Sequence, residues 1–333
     1  MGVAAFASPI AFDETVWFFP TLGAQQADGS WELPVHAWVF ELEGEGDGSA
    51  GLVRDSVDRL LGSDFAISDG EFRERIRFFT PLLDNERRKT IELRIEDAMV
   101  RLAPTGPNGH VLDVVRYRGG AAPGTWLAFT SAHPSGTTVE GAVQLVPPQG
   151  RSVISDIDDT IKISEVLNKR ALLANTFVNP YRPVAGMPEL YREALRGRYF
   201  HYVSASPWRL HPALAPFMAQ FPRGAIYLRH FRIQDGSFLD FVGNSTEYKV
   251  ETIRGIVGRY PGHTFTLIGD SGEHDPDVYG QIYLAYPDQV ERILIRNVVG
   301  SDWTETRFRS TFPSIPDDRW RFFDRPEDLS ALL

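Results

Sequence analysis

The stretch Val153-Ile154-Ser155-Asp156-Ile157-Asp158-Asp159-Thr160 runs from an apolar segment straight into acids at positions 156, 158 and 159. A short apolar run bounded by polar turn residues reads as a buried strand. Two carboxylates two residues apart, set just past such a strand, suit phosphoryl transfer: one attacks phosphorus while its neighbour moves the proton. The same acids offer the hard oxygen ligands that Mg²⁺ takes. A solvated acidic turn is the bland alternative, so the sequence around this stretch decides.

Apolar strands at Ser152–Ser155, Tyr199–Val203, Ala225–Leu228, Thr264–Ile268 and Arg292–Ile295 alternate with helical patterns at Pro188–Leu195, Pro207–Gln220, Thr246–Tyr260 and Pro276–Ala285. This alternation predicts an α/β domain with a mostly parallel five-stranded sheet. Ligands of such open sheets bind beyond the carboxyl ends of the strands, and the remaining polar signals fall there. Ser204 stands at the tip of the second strand, within reach of a phosphate oxygen, although alone it reads as a turn serine. Ser206 with Pro207 reads as an N-cap followed by a first-turn proline.

Asn244 with Glu247 fits a capping box, which puts Lys249 near the first turn of a helix. A cation there opposes the helix dipole by about 0.3–1 kcal/mol. The chain holds only four lysines (Lys89, Lys162, Lys169, Lys249) against 30 arginines. This ammonium is therefore set apart, and its compact charge suits a transferring phosphate; a solvated surface lysine is the alternative. Asp270 and Asp275 follow the fourth strand in Gly269-Asp270-Ser271-Gly272-Glu273-His274-Asp275-Pro276, where Asp275 also reads as an N-cap. Arg209, Arg229 and His230 lie near strand ends as candidate substrate contacts, with Arg229 reading better as a salt-bridge or capping partner.

Upstream, residues 1–148 read as a β-sandwich-like domain with strands at Thr15–Phe19, Val35–Glu41, Ile91–Ile95, Val111–Tyr117, Thr125–Thr130 and Val139–Val146. Helical patterns near Asp55–Leu61 and Glu71–Phe79 form an insertion. Pro147-Pro148-Gln149-Gly150 continues neither helix nor strand and divides this part from residues 149–333. The tail 301–333 interleaves aromatics with arginines, but residues 301–325 balance five arginines with five acids, which favours packing on the α/β domain over contact with anionic lipid.

The net charge is −10, and residues 1–150 carry most of it, with 12 Lys/Arg against 21 Asp/Glu. No broad basic surface points to nucleic acid. The absence of cysteine excludes disulfides, zinc–thiolate sites and cysteine nucleophiles. No apolar run approaches membrane-spanning length, and Met1–Phe6 lacks the pattern of a signal peptide. A cytoplasmic protein is expected.

Taken together, Asp-x-Asp-x-Thr, the strand-end serine, the lysine and Gly-Asp-x-x-x-x-Asp resemble the four ordered motifs of the haloacid-dehalogenase-like hydrolases, over about residues 151–300. The resemblance implies a Rossmann-like core, Mg²⁺ as cofactor and Asp156 as a nucleophile that forms an aspartyl-phosphate. Asp158 would be the general acid/base and lend its backbone carbonyl to Mg²⁺. Thr160, Ser204 and Lys249 would hold phosphate, and Asp270 and Asp275 would complete the metal site. Asp159 departs from the pattern, since many members carry glycine there.

The stretches 155–162, 200–208 and 269–276 further resemble the catalytic domain of the fungal actin-patch phosphatidate phosphatases and their bacterial relatives, which are similar to lipins. That resemblance implies Mg²⁺-dependent dephosphorylation of phosphatidate to diacylglycerol, with transient attachment to a membrane surface. A soluble or nucleic-acid phosphomonoester, or a scaffold with a vestigial phosphatase fold, stand as alternatives. The intervals between the motifs are too short for a large cap domain. An open cleft suits a bulky phosphomonoester, with Arg209 as a candidate contact.

Overall fold

The computed structural model describes residues 7–42, 69–79, 83–230, 245–300, 312–329 and 332–333. The expected helix at Asp55–Leu61, Asn244 of the capping box and residues 301–311 of the tail lie outside them. The chain forms two compact units, one from residues 1–53 and 76–148, the other from residues 54–75 and 149–333. The described residues 69–75 thus group with the α/β part of the chain. Helix α1, Asp69–Ile76, carries the described end of that segment.

The first unit is built on a nine-stranded sheet with Trp31–Leu42 as its hub. That strand pairs antiparallel with Thr15–Phe19, Thr21–Gln25, Leu83–Asn85 and His110–Tyr117. From Thr21–Gln25 the path continues through Thr138–Val146, Trp126–Ala132, Glu92–Ile95 and Ala98–Arg101. Period-two alternation sets the core: Leu33, Val35, Ala37 and Val39 face it from the hub strand. Ile91, Leu93 and Ile95 join the same cluster from far along the path, together with Val111, Val115 and Tyr117. Strands from both ends of the path therefore share one apolar interior.

The second unit holds a parallel sheet, whose strands are β1 (Gly150–Ser155), β2 (Tyr199–Pro207), β3 (Ala225–Arg229), β4 (His263–Asp270), β5 (Val290–Arg296) and β6 (Trp320–Phe323). All five pairings are parallel and the order is β3-β2-β1-β4-β5-β6. The five-stranded expectation is corrected to six. Trp320-Arg321-Phe322-Phe323 adds an edge strand that its charged surroundings disguise. Helices α2 (Lys169–Phe177) and α3 (Met187–Glu193) lie between β1 and β2, and α4 (His211–Met218) between β2 and β3. Helix α5 (Ser245–Arg259) precedes β4, and α6 (Asp275–Ala285) links β4 to β5. Val153, Ile154, Phe265, Leu267, Ile268, Ile293, Leu294 and Ile295 are buried, as strands covered on both faces require.

This is the doubly wound order, in which the chain runs outward from β1 one way and then outward from β4 the other. The reversal opens a crevice at the carboxyl ends of β1 and β4. That crevice is where the acids of the sequence arrive.

Candidate active site

Asp156 follows β1 directly, and its N–H still donates to the Ile268 carbonyl of β4 at 2.9 Å. Asp270 is the last residue of β4. Ligand oxygens of Asp156, Asp270 and Asp275 all lie within 4.8 Å of one another, and all three side chains are buried. Lys249 reaches them from the second turn of α5. Its Nζ donates to Asp156 Oδ1 at 2.8 Å, Asp275 Oδ1 at 2.6 Å and Glu273 Oε2 at 3.0 Å. An ammonium has three protons, and here all three are engaged by carboxylates. Lys249 thus fixes one oxygen of Asp156 and leaves Oδ2 without a partner.

Charge does not balance in this cluster. Four carboxylates, Asp156, Asp270, Glu273 and Asp275, face one ammonium, and buried charge without compensation is strongly unfavourable. Burial pushes the Asp156 carboxyl well up; Lys249 pulls against that rise, and Asp275, Glu273 and Asp270 add to it. Asp270 is raised by burial and then by Asp275 and Glu273. Burial works against the Lys249 ammonium, but Asp156, Asp275 and Glu273 hold its pKa well above the ordinary value. Buried Oδ2 atoms on both Asp156 and Asp270 have no hydrogen-bond partner. An excess of negative charge, hard oxygen donors and two orphaned oxygens together fit a small divalent cation.

Asp158 lies in a separate pocket of donors. Its Oδ1 accepts Lys162 Nζ at 2.7 Å and Ser164 Oγ at 2.7 Å. Its Oδ2 accepts Ser204 Oγ and Ser206 Oγ, both at 2.9 Å. Burial raises this carboxyl, but the Lys162 charge and the hydrogen bonds from Lys162, Ser164 and Ser204 outweigh it and hold the group well below the usual carboxylate range. Ser206 is therefore not the helix cap that its proline neighbour suggests. The following 3₁₀ turn, Trp208–Leu210, starts from Pro207 with no side-chain cap. Ser204 lies at the irregularity where β2 loses register with β3 between Val203 and Pro207, and its hydroxyl is committed to Asp158.

Asp159 explains its own departure from glycine. Its φ is +53°, the left-handed region that glycine fills most easily and that Asp tolerates better than most residues. Its carboxylate accepts the N–H groups of Ser164 at 2.8 Å, Glu165 at 2.8 Å and Val166 at 2.6 Å. One acid thus folds the whole loop after the motif. Thr160 is fully buried in this turn, with its Oγ1 unpartnered.

Asp275 is the first residue of α6, not its N-cap, which is His274. Its Oδ2 accepts the Asp270 N–H at 3.2 Å while Oδ1 takes Lys249. This carboxylate presses against Gly269: a Cβ there would stand 2.7 Å from Asp275 Cβ and 2.8 Å from Cγ. Gly269→Ala is expected to displace the pinned carboxylate. Misplacement of a catalytic group by about 1 Å can lower turnover on the order of 10²-fold. Steady-state kinetics beside a far-ultraviolet spectrum of the variant checks this, and wild-type turnover refutes it.

The crevice therefore gathers Asp156, Lys249, Asp270 and Asp275, with Asp158 and Ser204 joined beside them. Arg209 is half-buried in the 3₁₀ turn three residues beyond Ser206. Sequence reasoning did not assign Glu273, Lys162, Ser164 or Ser206. Glu273 carried a signal as the acid inside the Gly-Asp motif. The two serines are visible only through the fold that brings them to Asp158.

A doubly wound parallel sheet with a buried acid–lysine centre at its switch point defines the structural class of this unit. Residues 151–297 match the family described as phosphatidate phosphatase APP1, catalytic domain. Phosphatidate phosphatase APP1 of Saccharomyces cerevisiae is 35% identical over 158 residues, which cover 45% of this chain and 26% of the yeast protein. An uncharacterized protein of Schizosaccharomyces pombe is 30% identical over 164 residues, 47% of this chain and 27% of that protein. The match thus spans about a quarter of each relative's length. The likeness to the APP1 catalytic domain is confined to residues 151–297.

Proposed function

We propose that this chain is a Mg²⁺-dependent phosphomonoester hydrolase that converts phosphatidate to diacylglycerol and inorganic phosphate through an aspartyl-phosphate on Asp156. The observation that carries the reading is the buried cluster in which four carboxylates face one lysine while Asp156 Oδ2 and Asp270 Oδ2 stand unpartnered. The likeness of residues 151–297 to the APP1 catalytic domain supports the substrate class.

Asp156, Asp270 and Asp275 would hold the Mg²⁺, with the Asp158 carbonyl as a further ligand. Bound there, the ion would supply positive charge to offset the excess carboxylates and to attract a phosphate group. Lys249 orients Asp156 by holding Oδ1, so that a carboxylate oxygen meets phosphorus in line with the leaving alkoxide. The P–O bond to the glycerol carbon's oxygen breaks as the Asp156–phosphorus bond forms, and the ionised Asp158 carboxylate relays the proton of the phosphatidate monoanion to that oxygen. In the second half a water attacks the aspartyl-phosphate, gives its proton to Asp158, and releases Asp156 and inorganic phosphate. The resting ion pair with Lys162 keeps Asp158 ionised and prepares it for this second, base-catalysed half. Thr160 Oγ1 is free to donate to a phosphate oxygen, and Arg209 is assigned to the substrate's approach.

No helix among the described residues is long and apolar enough to cross a membrane. The proposed setting is the cytoplasm, with transient contact to a phospholipid surface. Net charge in residues 1–150 disfavours broad docking on anionic bilayers, so attachment is assigned to a local surface.

Phosphate release from phosphatidate in mixed micelles, compared with nucleotides and sugar phosphates, tests the proposal. Turnover of phosphatidate is expected to need Mg²⁺ and to stop on chelation. Preference for a soluble phosphomonoester would overturn the lipid assignment, and metal-independent release would overturn the mechanism.

A further inference from the structure

Arg75 lies in α1, well outside the residues that match the catalytic-domain family, yet it is buried within the α/β unit. Its Nη1 donates to the carbonyls of Thr176 at 3.2 Å and Asn179 at 2.6 Å, just where α2 ends. Helix ends leave carbonyls without partners, and Tyr181 Oη donates to the same Thr176 carbonyl at 3.0 Å. The guanidinium also stacks 3.9 Å from the centre of the Tyr181 ring. That ring has a second cation near it: Lys162 Nζ stands 5.1 Å from its centre, a geometry that attracts an ammonium to the ring electrons.

Lys162 is the cation that holds Asp158. The backbone repeats this connection, because Ile163 N–H donates to Arg182 O and Val184 N–H to Ile161 O, each at 2.9 Å. The segment clamped by Arg75 therefore runs directly into the residues that pair with 161–163. A chain of contacts passes from Arg75 through Tyr181 to Lys162 and ends on the Asp158 carboxylate.

We infer that Arg75 is a positioning residue for the active site: through Tyr181 and Lys162 it fixes where the Asp158 carboxylate stands. The α1 segment is then a working part of the catalytic unit, supplied from outside the matched domain. The inference deepens the phosphatase reading and rests on it for its catalytic consequence. Glu71 supports the clamp, since its Oε2 accepts Arg75 Nη2 at 3.1 Å.

The full chain carries only four lysines, so selective ¹³Cε labelling gives four resonances, each assignable by substitution. Arg75→Ala is expected to move the Lys162 resonance, through the ring current of Tyr181, and to leave Lys89 and Lys249 in place. It is also expected to lower kcat at least fivefold with KM within twofold, because the cluster around Asp156 is untouched. Tyr181→Leu should match it, the double variant should lose no more than either single one, and Arg75→Lys should recover part of kcat.

An unmoved Lys162 resonance overturns the inference whether or not the protein turns over substrate. Unchanged kcat in Arg75→Ala, or losses that simply add in the double variant, also overturn it. If wild-type protein shows no phosphatase activity while the Lys162 resonance still moves in Arg75→Ala, the phosphatase reading fails and the positioning chain stands.

Discussion

Asn in place of Asp156 is expected to stop phosphate release while leaving the molecule folded. Asp and Asn are nearly isosteric, and the substitution removes one charge from a site where three buried carboxylates and the half-buried Glu273 crowd one ammonium. Like-charge repulsion falls, so the metal-free variant should melt no lower than wild type. Chemistry, by contrast, loses the proposed nucleophile: an amide cannot form the acyl-phosphate bond. Losses on removing a covalent nucleophile reach about 10⁶-fold, and a fall of at least about 10⁴-fold is expected here. Thermal melts beside a phosphate-release assay decide the matter; unimpaired turnover in Asp156→Asn moves the nucleophile elsewhere.

The second large effect concerns the cation. A ligand that binds only the folded state stabilises it by about 2.7 kcal/mol at a hundred times its dissociation constant. For a folding unit of this size that corresponds to about 5–10 °C in melting temperature. Wild-type protein should gain that much from Mg²⁺. Asp270→Asn changes a proposed ligand whose Oδ2 is buried and unpartnered. In a chelator the variant should melt at or above wild type, because one member of the repelling cluster has lost its charge. Added Mg²⁺ should then do little for it. Asp270 Oδ1 accepts the N–H groups of Gly272 at 2.6 Å and Glu273 at 3.2 Å, and the amide oxygen of Asn can keep both. Equal Mg²⁺ responses in the two proteins would remove Asp270 from the metal site.

Much of this site was legible in the sequence because strand ends announce themselves. The run Val153–Ser155 is short, apolar and followed at once by acids, and the Gly269-Asp270 break after β4 has the same form. Parallel sheets place such ends on one side, so chain-distant acids could be brought together by rule. Lys249 was legible through its rarity and its awkward helical position. Other features depend on tertiary context. Lys162 meets Asp158 across a turn whose left-handed residue, Asp159, is not visible in composition. Ser206 is disguised by Pro207, and local cap chemistry gives way to a buried carboxylate that needs donors. Helix α2 has Lys and Arg in its first turn and buries the polar Asn175 and Thr176, which hides its apolar face. Strand β6 is an edge with Arg321 exposed, so its pattern merges with the charged tail. Arg75 has no signal at all, since its partners lie a hundred residues downstream.

The strand order also bears on how the molecule assembles. β1 is the first strand of its sheet in the chain, yet one neighbour, β2, starts at Tyr199 and the other, β4, only at His263. The entropy of closing such loops grows with their length, and long-range pairings slow folding. The loop that carries Asp156 therefore cannot settle until β4 has been made and docked. A half-synthesised chain presents β1 with both edges bare, and a ribosome-bound fragment ending before residue 263 should be inert toward substrate and prone to self-association.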